Sequence, residues 1–433
     1  MKNISLTLFF LFALCVSNAQ TDSPEPGTSQ FSEEQFSFSP HEFFSGRKNI
    51  SLNSEYYFGS NAITNKFFNY NYLNRFIDNE LKTDVSERLN ATGNRLGAGF
   101  NTSLLFTYKT KEVAGTKTLF FAGISNRNFS EWIFNRDLFE LFFRGNRAYE
   151  GKTADVSDSR FRLYQYQKLT WGMFSINTGD TAKVSFGYSG SLLIGQMLRD
   201  IKLNGKLFTA ANGEYLDVAA SGNMHASDSA HTSLASVNGF GVSADFFFHY
   251  KISRDCYLNF SVSDFGFMNW NNNTSLVSVD TNFHFEGVEV DDLFNFSDSV
   301  LSDAMLTDSA QTEQFLTNRK KQSYSIVLPV HATVELFYEI KEEKIFFTLR
   351  DEIMSGEAFN NLAAIGMGWK GKKVVVSAEV SYGGYGNLNA GITASFLIKK
   401  EYSLTIGSHA VNGFIVPAFS TSQGAFVSLK KYL

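Results

Sequence analysis

The stretch NGFGVSADFFFHYKI, residues 238–252, decides how the rest of the chain is read. Alternate positions carry Phe240, Val242, Ala244, Phe246, Phe248, Tyr250 and Ile252. The positions between them carry Gly239, Gly241, Ser243, Asp245, Phe247, His249 and Lys251. Successive side chains of a strand point to opposite faces, so the stretch predicts one apolar face and one largely polar face. It is also longer than the roughly 5–6 residues of a common soluble strand, and it meets the ~9–11 residues that a tilted strand needs to cross a bilayer.

The same pattern recurs. Residues 182–194 set Val184, Phe186, Tyr188, Leu192 and Ile194 against Lys183, Ser185, Gly187, Ser189 and Ser191. Residues 323–340 set Tyr324, Ile326, Val334, Leu336 and Tyr338 against Ser325, His331, Thr333, Glu335 and Glu339. Leu388, Ala390, Ile392, Ala394, Phe396 and Ile398 alternate with Asn389, Gly391, Thr393 and Ser395, and Val374 to Tyr382 and Leu96 to Tyr108 repeat the theme. Apolar rows end in Tyr108, Tyr250, Tyr324, Tyr338 and Tyr382, as an interfacial girdle requires. The polar rows are mainly Gly, Ser, Thr and Asn, which suit a crowded lumen better than open water.

The predicted class is therefore all-β: a transmembrane antiparallel β-barrel of about 14 strands, within a range of 12 to 16, with short helices inside or at the mouth of the lumen. A soluble exported β-sandwich adhesin also alternates, but it would carry shorter strands and more outer charge. Tight turns are expected at KEEK (341–344) and GGYGN (383–387).

Composition agrees. The 433 residues include 45 Phe and 18 Tyr but only 5 Pro, which favours long uninterrupted ladders. A net charge of −5 excludes a partner held by phosphate contacts, so no nucleic acid is expected. Lys2, the apolar run Ile4 to Val16, and Ser17 with Ala19 predict a signal peptide over residues 1–19. The expected organisation continues with an N-terminal extension, 20–95, carrying a helical segment as a candidate lumen plug. The barrel is then expected over 96–433, in the outer membrane and in contact with its lipid.

Three stretches break the alternation. Residues 67–89 carry Leu73, Phe76, Ile77 and Leu81 at helical spacing, and residues 300–316 read as helix or ordered loop. The third, EWIFNRDLFELFFRG (131–145), places Phe134, Leu138, Leu141 and Phe142 on one side, with Arg136 and Arg144 elsewhere and Gly145 as a stop. Inside a barrel this helix is expected to constrict the lumen, its apolar side on the inner wall and its arginines in the lumen. Asp245, His249, His331, Glu335 and Glu379 sit on the polar rows and are the candidate lumen lining.

Motifs for catalysis are missing: there is no nucleotide loop, zinc-type His/Glu spacing or nucleophile elbow at a strand-to-helix turn. His225 and His231 flank a loop, and Glu286, Glu289, Asp291 and Asp292 form an acidic run. Both read first as solvated loop residues. No catalytic residue, metal or cofactor is assigned.

Three segments resemble hallmarks of a Bacteroidota outer-membrane barrel family of unknown function: FIDNELKTDVSERLNATGNRLGAGF (76–100), DLFELFFRGNRAYEGKTADVSDSRFRLYQYQKLTWGM (137–173), and the segment 262–293 with Asp264, Gly266, Phe267 and Trp270. That family is similar to long-chain fatty-acid transporter-type barrels and to a barrel of type IX secretion. The resemblance implies a fold and a location and supplies no catalytic residues. The leading expectation is a non-enzymatic barrel that binds or passes small hydrophobic molecules. The alternative is a structural or secretion-associated barrel that docks envelope proteins.

Overall fold

The computed structural model describes residues 48–433 apart from 114, 178–182, 229–232, 234, 254, 272–273, 286–318 and 399–400. The expected signal peptide, the segment 300–316, His231 and the acidic run from Glu286 lie outside the described residues.

All described strands belong to one antiparallel sheet. They are β1 (Lys48–Ser60), β2 (Asn94–Lys109), β3 (Thr116–Phe134), β4 (Lys152–Asp155), β5 (Ser159–Asn177), β6 (Val184–Thr209) and β7 (Leu216–Ser227). Next come β8 (Gly239–Lys251), β9 (Cys256–Trp270), β10 (Thr274–Phe285), β11 (Arg319–Lys321), β12 (Tyr324–Val327) and β13 (His331–Ile340). The last six are β14 (Ile345–Met354), β15 (Asn360–Lys370), β16 (Val374–Gly384), β17 (Leu388–Ile398), β18 (Tyr402–Ser408) and β19 (Ser422–Tyr432). The sheet closes where β1 lies between β19 and β2, with Glu55 opposite both Phe426 and Asn101. Closure leaves no open edge, as a spanning sheet requires. The closed wall has 14 positions, β12 and β13 sharing one beside β9. β4, β7, β10 and β11 extend the long strand β6 beyond the wall, through the pairs β4–β6, β6–β7, β7–β10 and β10–β11.

Burial separates the two faces. On β8, Phe240, Val242 and Phe246 are about half exposed, while Ser243, Asp245 and Phe247 are buried. The outward rows continue with Leu104 and Phe106, Phe186, Tyr188 and Leu192, and Ile365, Met367 and Trp369. Exposed apolar rows around a closed wall require lipid as the outer solvent. Among the described residues no helix is long and apolar enough to cross a membrane.

Two ends are defined by β1: a proximal end at Lys48 and a distal end at Ser60. The proximal lumen is filled by wall side chains, with Leu119, Phe121, Phe174, Ile176 and Phe247 in one cluster and Tyr257, Phe337, Phe346 and Val375 in another.

The wall already includes β1 (Lys48–Ser60), ahead of the boundary expected at residue 96. β1 hides because its outward row mixes Ile50 and Leu52 with Ser54, and its inward row contains Tyr57. The helical segment of the expected extension is the β1–β2 connection itself. It holds α1 (Asn65–Tyr72) and α2 (Asn79–Arg88), and α3 (Arg136–Arg144) follows β3. Side-chain caps fix each start: Thr64 accepts from the Phe67 amide, Asp78 from Leu81 and Asn135 from Leu138. Gly145, at φ 77°, ends α3.

The three helices stand at the distal rim against the outer face of the wall. Phe58, Leu96, Ala98, Trp132 and Phe134 belong to the outward rows of β1–β3, and they pack with Phe67, Phe68, Leu81, Val85, Leu138, Phe139 and Phe143. The Phe58 and Phe68 rings stack at 3.8 Å. The geometry has a simple cause: an apolar helix face seeks an apolar surface, and the inner wall at this height is charged. Residues 131–134, expected as helix, finish β3 because Glu131, Trp132, Ile133 and Phe134 continue its alternation.

Candidate functional site: a charged lumen under an aromatic closure

The structure places all five lumen-lining candidates on the inner wall. Asp245 is 3 % exposed and is opposed on β9 by a bulge. Ala244 faces Phe265 and Phe246 faces Val262, so Ser263 and Asp264 together oppose the single residue Asp245. Asp264 adopts φ 60°, a left-handed conformation that Asp tolerates better than most residues. The bulge turns both Ser263 and Asp264 toward the lumen. Lys168 Nζ then donates to Asp245 Oδ1 at 2.9 Å, to its Oδ2 at 3.1 Å and to Asp264 Oδ1 at 2.8 Å. Ser189 Oγ and the Asp264 amide also donate to Asp245, at 2.6 and 2.8 Å. A buried carboxylate and a partly buried one thus share one buried ammonium, and hydrogen bonds reach both oxygens of Asp245.

A second set crosses β13, β14 and β16. His331 Nε2 donates to Glu352 at 3.2 Å, Arg350 bridges Glu352 at 3.1 Å and Glu379 at 3.2 Å, and His409 Nδ1 meets Glu379 at 2.5 Å. Closer to the proximal end, His249 Nδ1 and Asn259 Oδ1 lie 2.8 Å apart, and Asn259 donates to Glu335 at 3.1 Å.

Between the two charged sets lies a cavity of about 250 Å³. Its lining combines the charged side chains of Glu55, Arg127, Asp264, His331, Glu352 and His409 with the aromatic rings of Tyr57, Phe129, Tyr164, Tyr166, Phe359 and Tyr385.

On the distal side Tyr385, in the short β16–β17 turn, lines the cavity. It is 6 % exposed, stacks on Tyr57 at 6.3 Å and meets Phe359 edge-on at 5.2 Å. Its ring occupies the space that a Cβ on Gly97 would need, 2.3 Å away. The turn can dip inward because Gly383 takes φ 113°, and a Cβ there would lie 2.0 Å from the Asn361 carbonyl oxygen. The Tyr385 hydroxyl makes no hydrogen bond among the described residues.

The expected constriction gives way to this arrangement. Phe134 is buried in the outer helical cluster with Leu138 beside it, and Phe142 is 72 % exposed. Arg136 donates to the Leu89 carbonyl, and Arg144 pairs with Glu140 at 3.1 Å and donates to Thr83. None of these, nor Leu141, lines the lumen cavity. Sequence reasoning missed Arg127, Lys168, Arg350, Glu352, His409 and Tyr385 as site residues. Extending the alternation through Arg127 and Lys168 would have placed both on inward rows. Tyr385 had only its glycine-rich turn as a signal. His225 stacks on Tyr324 at 3.8 Å, and the described residues include no group of His, Cys, Asp or Glu arranged to hold a metal ion.

The closed wall of 14 positions with its outward apolar rows defines a membrane-spanning β-barrel. A family model described as a family of unknown function (DUF5723) matches residues 44–402, and the chain belongs to that family. Among solved structures it is similar to the ΔS2S3 mutant of the TodX monoaromatic hydrocarbon channel. That likeness has 10 % identity and a TM-score of 0.46 over 90 % of this chain and 92 % of that one. It is also similar to the toluene transporter TodX of P. putida, at 9 % identity and a TM-score of 0.43 over 90 % and 91 %. For a FadL homologue of Pseudomonas aeruginosa the values are 10 % and 0.42, over 89 % of each chain. No curated protein matches the chain.

Proposed function

We propose that this chain is a non-enzymatic outer-membrane barrel that binds small, largely hydrophobic molecules in its lumen and passes them across the wall-enclosed space. The observation that carries the reading is the lumen cavity, lined by the rings of Tyr57, Tyr166 and Tyr385 together with Glu55, Arg127 and His331. Aromatic faces hold an apolar body, and charged groups with the Tyr385 hydroxyl orient a polar end. About 250 Å³ suits a single ring or a short chain better than a long extended one. Tyr385 is the barrier, and its displacement opens the distal side. The lipid-facing rows, together with the signal peptide expected from the sequence, support the outer-membrane location.

The test is uptake into vesicles carrying the refolded barrel, comparing short aromatic or aliphatic acids with sugars of similar size. Preferential uptake of the hydrophobic acids is expected, and faster uptake of the sugars would refute the reading. One observation favours a docking role for envelope partners: β6 runs for 26 residues and carries β7 and β10 beyond the wall. Vesicles impermeable to both solute classes would favour that role.

A further inference from the structure

The distal rim carries an apolar surface that the lumen does not use. Tyr72, Leu73 and Phe76 follow from α1, with Phe76 85 % exposed. Phe414, Ile415 and Phe419 lie in the β18–β19 loop, with Phe419 77 % exposed. The two parts are neighbours: the Asn65 amide donates to the Ser420 carbonyl at 2.8 Å and the Lys66 amide to the Pro417 carbonyl at 2.9 Å.

This surface continues the lipid-facing face of the wall. α1 packs through Phe68 on Phe58, which shares its outward row with the exposed Ile50 and Leu52. The loop holds a short helix, α4 (Asn412–Ile415), which fills the wall above the short β18. Val411 donates to the Ala390 carbonyl there, and Gly413 sits against the outward residue Gln423. Beneath α1 an open cleft of about 620 Å³ is lined by Phe68, Tyr72, Phe100, Asn128, Ser130 and Leu163. Phe100 belongs to the same outward row as Leu104 and Phe106. Around Phe100 the outward residues of β1–β3 turn to hydroxyls and amides, Ser54, Thr102, Asn126, Asn128 and Ser130, the change expected where hydrocarbon gives way to head groups.

We propose that α1, the turn after it and the β18–β19 loop dock in the head-group layer of the surrounding membrane, with lipid occupying the cleft under α1. The occupant is membrane lipid because the cleft opens onto the lipid-facing row. Aromatic side chains are also the residues that best tolerate that boundary. An aqueous rim would leave Phe76 and Phe419 in water with no compensating contact, a surface that soluble proteins seldom keep.

The test uses the full chain with C15S and C256S, refolded into phosphatidylcholine–phosphatidylglycerol vesicles. A nitroxide is placed in turn at Phe76→Cys, Phe419→Cys, Leu104→Cys and Asn212→Cys. Collision with oxygen is compared with collision with a water-soluble nickel chelate. The expected result places positions 76 and 419 between Leu104 and Asn212, with more oxygen collision and less nickel collision than at Asn212. Labels at 76 and 419 that behave like Asn212, while Leu104 reads as lipid, would overturn the proposal. A nickel-accessible Leu104 would instead overturn the membrane-spanning reading on which the proposal rests.

Discussion

On β3 the inward row runs Leu119, Phe121, Ser125, Arg127, Phe129 and Glu131 from the proximal to the distal end. The outward row runs Phe120, Ile124, Asn126, Asn128, Ser130, Trp132 and Phe134. The inward row passes from apolar filling to buried charge. The outward row passes from lipid-facing to polar and back to apolar where the helices cover it. Both rows alternate equally well. A period of two shows that the faces differ, but the surroundings at each height determine which residues each face keeps.

The sharpest way to break this contrast is to remove charge from the inner side. Lys168→Met would leave the buried Asp245 and the partly buried Asp264 without their ammonium and should destabilise the barrel by about 3 kcal/mol. Denaturant titration of the heat-modifiable gel shift would measure it, and an unchanged midpoint would show that the cluster contributes nothing. On the outer side, Phe139→Ala should cost about 3 kcal/mol locally, read as new protease cleavage in α1–α3 with the barrel intact. Loss of the whole barrel in that variant would mean that cap and wall fold as one unit.

At the lumen, Tyr385→Ala should raise small-solute flux several-fold. Gly97→Val, which crowds Tyr385 from behind, should act in the same direction; a rise with one variant and a fall with the other would argue against Tyr385 as the barrier. The smallest effect is expected from Asn128→Leu, a polar-to-apolar change on the outward row, which should shift stability by within ~0.5 kcal/mol.

Much of the wall was legible in the sequence. β8 matches its alternating row almost residue for residue, and the turns at 341–344 and 383–387 separate β13 from β14 and β16 from β17. What escaped had physical reasons. β1 lacks a clean apolar row. The bulge at Ser263–Asp264 shifts the phase of β9, so that Phe260 and Phe265 face the same side. The amphipathic α3 announced that it would bury an apolar face, but helical spacing does not say whether the receiving surface lies inside or outside a barrel. The charged ring formed by residues from six or more strands is a product of closure, which no local pattern encodes.

That same closure has a consequence for assembly. β1 and β19 pair across a separation of more than 370 residues, as in Glu55 with Phe426, so the seam belongs to the slowest class of contact to form. The first described helix, α1, bears on this step. Asn65 Nδ2 donates to the Ser422 carbonyl at 2.7 Å, and Asn69 and Gln423 exchange amide hydrogen bonds beside it. The helix that follows β1 thus grips β19 through side-chain amides, contacts that fit the seam only in its native register.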